Sequence, residues 1–267
     1  MKQNKTISIF VIVLALAILS CSGAGGIPNL FATATATATN TFTPSPTLTP
    51  SPTATQTQTP SPTPLPTGVA TEAQSDGSTI FTDYDNKYEL ILPKDWVAIP
   101  LSSKDLAQIL KGLSEKNPAL KDIAESFKRL DPNVMRVIAV NANPKYMSNG
   151  FSTNLSITAI EDKVLSSMPI DFVTGAVEEL LKKQGAKLLS SGNLAIKNAN
   201  GVEIGILDFQ QTAPTASGSK VQVRSKAIVF QAGGKMIMVQ LATPLQFGEE
   251  LLPILDKVSD SITLMKP

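Results

Sequence analysis

The chain has 267 residues, with 23 Lys and Arg against 22 Asp and Glu, and a formal net charge of +1. That balance gives no basic excess for nucleic acid. With no histidine and a single cysteine, it excludes Ser-His-Asp and Cys-His nucleophile systems, His-based zinc sites, an imidazole pH switch and a disulfide within the chain.

Lys2 and Lys5 precede an apolar run from Ile7 to Leu19, followed by Ser20 and Cys21. The run is about 13 residues, the length of a signal-peptide core and short of the ~20 needed to cross a bilayer. The string Ile18-Leu19-Ser20-Cys21 resembles the lipobox of bacterial lipoproteins. The resemblance implies that residues 1–20 are a removable signal peptide. It also implies that the Cys21 thiol carries lipid, with a bacterial membrane as partner and the extracytoplasmic face as location. An ordinary secreted protein or an uncleaved anchor is the alternative. Stable holding takes two acyl chains or more.

Residues 21–77 read as a disordered tether. From Phe31 the chain is almost wholly Thr, Pro, Ser and Ala, with Thr-Pro-Ser-Pro-Thr units at 43–47, 49–53 and 59–63. Too little apolar surface is present to offset the entropy of ordering it. Its prolines favour polyproline II, a semi-rigid spacer reaching on the order of 140 Å in contour. An O-glycosylated stalk is the sharper alternative, and a ligand for proline-binding domains a third.

Residues 78–267 read as one α+β domain, long enough to bury a core without disulfides. Strands are expected at 79–81 and 88–92 around the polar turn Asp83-Tyr84-Asp85-Asn86, then a short strand from the sole tryptophan, Trp96, to Ile99. Ser102 or Ser103 should cap a helix whose face is Leu106, Ile109, Leu110 and Leu113. Asn117-Pro118 should open a second helix ending at Leu130. Strands follow near 134–142 and 154–160. Pro169 opens a third helix with the stripe Ile170, Val173, Val177, Leu180 and Leu181, a wet face of Glu178–Lys182 and Glu179–Lys183 pairs, and a stop at Gly185. Four hairpin-linked strands are expected at 187–196, 202–212, 220–231 and 235–243, with Asn200-Gly201 and Gly233-Gly234 as turns. Apolar residues on both strand faces imply a sheet covered on both sides. Thr243-Pro244 begins a closing helix that Pro253 either kinks or starts.

This order gives an antiparallel sheet of about six to seven strands with helices packed on it. Together with Leu92-Pro93-Lys94-Asp95-Trp96, the late meander, and the closing segment from Thr243-Pro244 to Ser261-Ile262, it resembles the PsbP-like fold. That family includes the photosystem subunit PsbP, a Ran-binding nuclear transport factor and lipoproteins of the LpqN/LpqT kind. The resemblance implies an α/β/α sandwich acting as a binding or assembly factor, not an enzyme. The helices expected between 102 and 130 look like an insertion. The histidine metal sites proposed for PsbP have no counterpart, so no metal or cofactor is expected.

Trp96 reads first as a core plug, or else as the wall of a ligand groove. Lys220, Arg224 and Lys226 put like charges on one strand face, to bind an acidic partner or to guard a sheet edge. Asp208 is expected near a strand end facing solvent. Asp83, Asp85 and Asn86 lack the spacing of a calcium loop and read as a polar turn. Met236 and Met238 read as core. The leading expectation is a lipid-anchored binding domain for an envelope or extracellular protein. A small-ligand or lipid carrier, with an apolar pocket under the 102–130 helices, is the alternative. A hydrolase with paired carboxylates is the third.

Overall fold

The computed structural model describes residues 66–102, 106–116, 130–141, 143–190, 195–215 and 219–266. Cys21, the expected signal segment, residues 21–65 of the expected tether and the helix expected from Asn117 (save Leu130) lie outside the described residues.

The chain enters through β1 (Val69–Ala73), β2 (Thr79–Asp83), β3 (Tyr88–Leu92) and β4 (Trp96–Pro100). Helix α1 (Leu106–Lys116) follows, then β5 (Met135–Asn141). Two short strands, β6 (Met147–Ser148) and β7 (Phe151–Ser152), lead to β8 (Asn154–Ile160) and helix α2 (Ile170–Lys183). Next come β9 (Lys187–Ser190), β10 (Ile196–Lys197), β11 (Glu203–Pro214), β12 (Lys220–Ala232) and β13 (Lys235–Pro244). The chain closes with α3 (Gly248–Leu251), α4 (Ile254–Ser261) and β14 (Thr263–Leu264).

Two main sheets result where the sequence suggested one. The larger runs β10-β11-β12-β13-β8-β5-β4, with β9 also on β11; the smaller runs β1-β2-β3-β14. β1 lies inside the stretch that composition gave to the tether, and the short β14 has no pattern of its own. The strand expected over 187–196 is two pieces, separated by residues outside the described set. The larger sheet is apolar on both faces, as expected. One face packs Ile204, Ile228, Phe230, Val239, Leu155 and Val137 against Phe81, Tyr88, Leu90 and Leu92 of the small sheet and Leu255, Val258 and Ile262 of the closing segment. The other packs Leu207, Phe209, Val229, Met236 and Met238 against Val173, Val177 and Leu181 of α2. Each such buried side chain contributes about 1.5–3 kcal/mol. Helix α1 covers Ile99, Ile138 and Val140 at the far end.

Local chemistry sets the joints. Pro169 precedes α2, and Gly185 at φ +84° ends it, with Ala186 N donating to Leu181 O and Gly185 N to Lys182 O, the paired bonds of a Schellman stop. Glu178 is buried, not on a wet face: it pairs with Lys182 at 2.8 Å from under the helix rim. Gly205 leaves room for Thr174 of α2, whose hydroxyl bonds to Ile170 O. Pro253 sits before α4 and separates it from α3, so it starts the closing helix. Asn198 Nδ2 donates to Ser259 O and Ile262 O, at 2.8 and 2.9 Å, and serves carbonyls that a helix end leaves free.

Candidate functional site

The cations singled out on β12 do not guard an edge. β12 lies between β11 and β13, with partners on both sides. Arg224 Nη2 pairs with Asp208 at 2.7 Å and Nη1 with Glu249; Lys226 pairs with Asp256. Asp208 first, against the cost of desolvation, and then Glu249 hold the Arg224 pKa above its ordinary value. Asp208 is mid-strand and paired, not solvent-facing near an end. Two of the three cations are therefore spent on docking α3 and α4 to the sheet. Lys220 is exposed and has no ion pair among the described residues.

The Asp83–Asn86 turn is a closed polar knot, and its central residue escaped the sequence reading. Arg136, the one charged residue of β5, is 3% exposed. Its Nε donates to Asp83 Oδ2 at 2.8 Å, and Nη2 to Asp83 Oδ1 at 3.0 Å and Asp85 Oδ2 at 2.7 Å. Asn86 N and Nδ2 donate to the same Asp83 carboxylate. Burial pulls the Arg136 pKa down, but Asp83 and then Asp85 outweigh it and raise it overall. Tyr88, fully buried beside Asp83, has its pKa pushed well up by desolvation and then by that charge. One signal was available: a lone guanidinium in a buried strand needs acids nearby.

One open feature among the described residues is a groove of about 580 Å³ between the β3–β4 turn, the end of β5 with the loop after it, and α3 and α4. Leu92, Trp96, Leu251 and Val258 are its buried walls, and Ile91, 44% exposed, stands at its lip. Trp96 is both things the sequence allowed: 7% exposed within the core cluster, and a groove wall. Asp95 takes φ +66°, which turns the chain sharply into β4. The loop after β5 is tied down from α3: Tyr146 Oη donates to Glu250 at 2.7 Å, Lys145 Nζ donates to the same carboxylate at 2.8 Å, and the Tyr146 ring meets Phe247 edge-on. Lys145 first, then Tyr146, holds the Glu250 carboxyl below its ordinary pKa. Across the groove, Ser261 Oγ accepts from Ile91 N.

Two carboxylates line this groove, Asp76 and Asp95. Asp76 is fully exposed and accepts from Ser78 Oγ and N, which lower its pKa. A general acid in a carboxylate pair needs the opposite shift. No group of three or more His, Cys, Asp or Glu able to hold a metal ion occurs among the described residues. No helix among them is long and apolar enough to cross a membrane.

No family model matches the chain, and no curated protein matches it. Among solved structures it is similar to the cyanobacterial PsbP, CyanoP, of Synechocystis sp. PCC 6803, at 16% identity and TM-score 0.42, over 78% of this chain and 98% of that one. It is also similar to LpqN of Mycobacterium tuberculosis, involved in cell envelope biogenesis, at 14% identity and TM-score 0.40, over 74% of this chain and 91% of that one. PsbP and LpqN are two of the names that the sequence resemblance brought forward.

Proposed function

We propose that this protein is an extracytoplasmic lipoprotein, held to a bacterial membrane through lipid on Cys21, with a PsbP-like domain displayed on the Thr/Pro/Ser stalk. The domain works by binding, not by catalysis, and the groove at Trp96 is its working surface. The observation that carries this reading is the groove itself: apolar walls with scattered polar groups along its rim. Its occupant is a protein of the envelope or of the surroundings that the stalk reaches.

Two experiments test the reading. A photo-crosslinking residue in place of Lys257, on the groove wall, should capture one specific protein in intact cells. Recovery of the domain alone under every growth condition defeats the reading. Cys21→Ala should move the protein from membranes to the soluble fraction without changing its melting temperature. Retention on membranes would defeat the anchor.

A second reading, a carrier of a small apolar ligand, is favoured by the groove volume of about 580 Å³, which falls in the range of small-molecule pockets. This groove lies at the 92–96 turn, not under the helices expected at 102–130. Copurifying mass in native mass spectrometry would support it.

A further inference from the structure

The groove has a floor and a rim of different chemistry. Trp96 and Asn141 are direct cross-strand partners on β4 and β5, so their side chains share a face of the sheet. Each is 7% exposed, and both line the groove. Asn141 Oδ1 accepts from Asn143 N at 2.9 Å, while Asn141 Nδ2 and the Trp96 indole Nε1 have no partner among the described residues. Neither atom is among the buried polar atoms that lack a partner, so both reach solvent, on residues that line the groove. Groups that reach solvent bond to water in the free protein. An occupant that displaces this water must bring acceptor oxygens, or forfeit about 1–3 kcal/mol per donor. The floor offers few acceptors in return: Leu92, Leu251 and Val258 are apolar, and Asn141 Oδ1 is already used. On the rim, Lys94 and Lys257 are balanced by Asp76 and Asp95.

These features separate the ligand classes. A rim whose charges cancel gives an ion no net attraction. A saccharide, or a peptide paired as a β-strand, also brings hydroxyl or N–H donors, and these would have to reach past the apolar floor to the rim carboxylates Asp76 and Asp95. A proline-rich segment brings carbonyls without the matching N–H groups, and its polyproline II backbone leaves those carbonyls free. Its rings pack against aromatic and apolar walls, here Trp96, Tyr146, Pro93 and Ile91. We propose that the groove takes a proline-rich, polyproline II segment of a partner protein, its carbonyls accepting from Trp96 Nε1 and Asn141 Nδ2. This rests on the groove being the binding surface.

Trp96 is the only tryptophan, so its emission reports on the floor directly. Decaproline titrated into the full chain should shift that emission saturably, and a Gly-Ser decamer should not. Asn141→Asp keeps the acceptor for Asn143 N and replaces the free donor with an acceptor. It should weaken decaproline at least about tenfold, the size of one lost hydrogen bond. Trp96→Phe, read by calorimetry, should weaken it several-fold and decides the matter if the Asn141 variant does not fold. Equal binding by a folded Asn141→Asp, or silence toward decaproline, overturns the proposal. Saturable binding of laurate or of a chitin oligosaccharide in place of decaproline overturns the proline-rich occupant but leaves the groove as the binding surface. Crosslinking at Lys257 judges that reading separately.

Discussion

β3 is flanked by two polar turns, each carrying acid and lysine, that have opposite roles. At its start, the 83–87 turn buries the Asp83 carboxylate, where Arg136 and Asn86 take it up, and Arg136 also holds the exposed Asp85. At its end, the 93–95 turn leaves Lys94 and Asp95 exposed beside an open groove. The difference lies in what packs opposite. The first turn faces the guanidinium of β5 and the Gly233 corner of the β12–β13 hairpin. The second faces the short loop after β5 and the kinked closing helices, which leave a gap. A polar turn becomes structural when a buried counter-charge closes it, and is free for recognition when none does.

Removing that counter-charge should have the largest effect. Arg136→Met strips a buried carboxylate of its partner, and such losses cost about 3–5 kcal/mol. Denaturant unfolding should show a drop of that size. A change under 1 kcal/mol would mean that the knot is not what holds the turn. Gly233→Ala should come next. Gly233 has φ +57°, and an added Cβ would lie 2.7 Å from the Asn86 Cα. The strained φ and the overlap with backbone together predict a loss of about 2–3 kcal/mol. If alanine is tolerated there, the hairpin corner does not brace the 83–87 turn.

On the groove side, stability should barely register. Glu250→Ala removes the acceptor shared by Lys145 and Tyr146, an exposed pair whose attraction solvent largely screens. It should loosen the loop that carries Asn143. Faster hydrogen exchange confined to residues 143–148, with a melting temperature within about 2–3 °C of the parent, would mark the groove as a surface built on top of the core. A large stability loss would instead make that loop part of the core.

The legibility of the two turns differed in the same way. Apolar runs and the turns between them placed β2, β3, β8 and β11–β13 to within a few residues, because each strand carries apolar side chains into the core. The two-glycine turn at 233–234 was readable because both residues need positive φ. Arg136 was missed because one charge in an apolar strand carries no periodic signal; only a search for partners over long sequence separations would have found Asp83. Trp96 was singled out, with a groove wall as one of its two readings, but the other walls of that groove could not be foreseen. It is made by pieces far apart in sequence, Asn141, Tyr146 and Ile254. The same limit applied to Lys226 and Arg224, which looked free until the closing helices brought Asp256 and Glu249 against them. β14 has only two residues and is held by its pairing with β3, so no local preference announces it.

Acid pH offers the finest contrast between the two turns. Asp85 is held below its ordinary pKa of 3.8 by the Gly68 N–H and then by Arg136, against some desolvation. The folded value lies under the unfolded one, so its contribution is fully present above about pH 3.9 and is lost as pH falls through the folded value. Asp85→Asn should therefore flatten the acid limb of a stability–pH curve below about pH 4. Asp76, at the groove, is also lowered, first by the Ser78 hydroxyl and N–H, with its own N–H and Lys94 as lesser causes, all at a fully exposed site. Asp76→Asn should leave that limb almost unchanged, because solvent screens these exposed partners. With no histidine in the chain, both curves should run flat from about pH 5.5 to 8, where no side chain at its ordinary pKa titrates. A steep Asp76 dependence would show that the groove turn, like its counterpart, is held shut by charge.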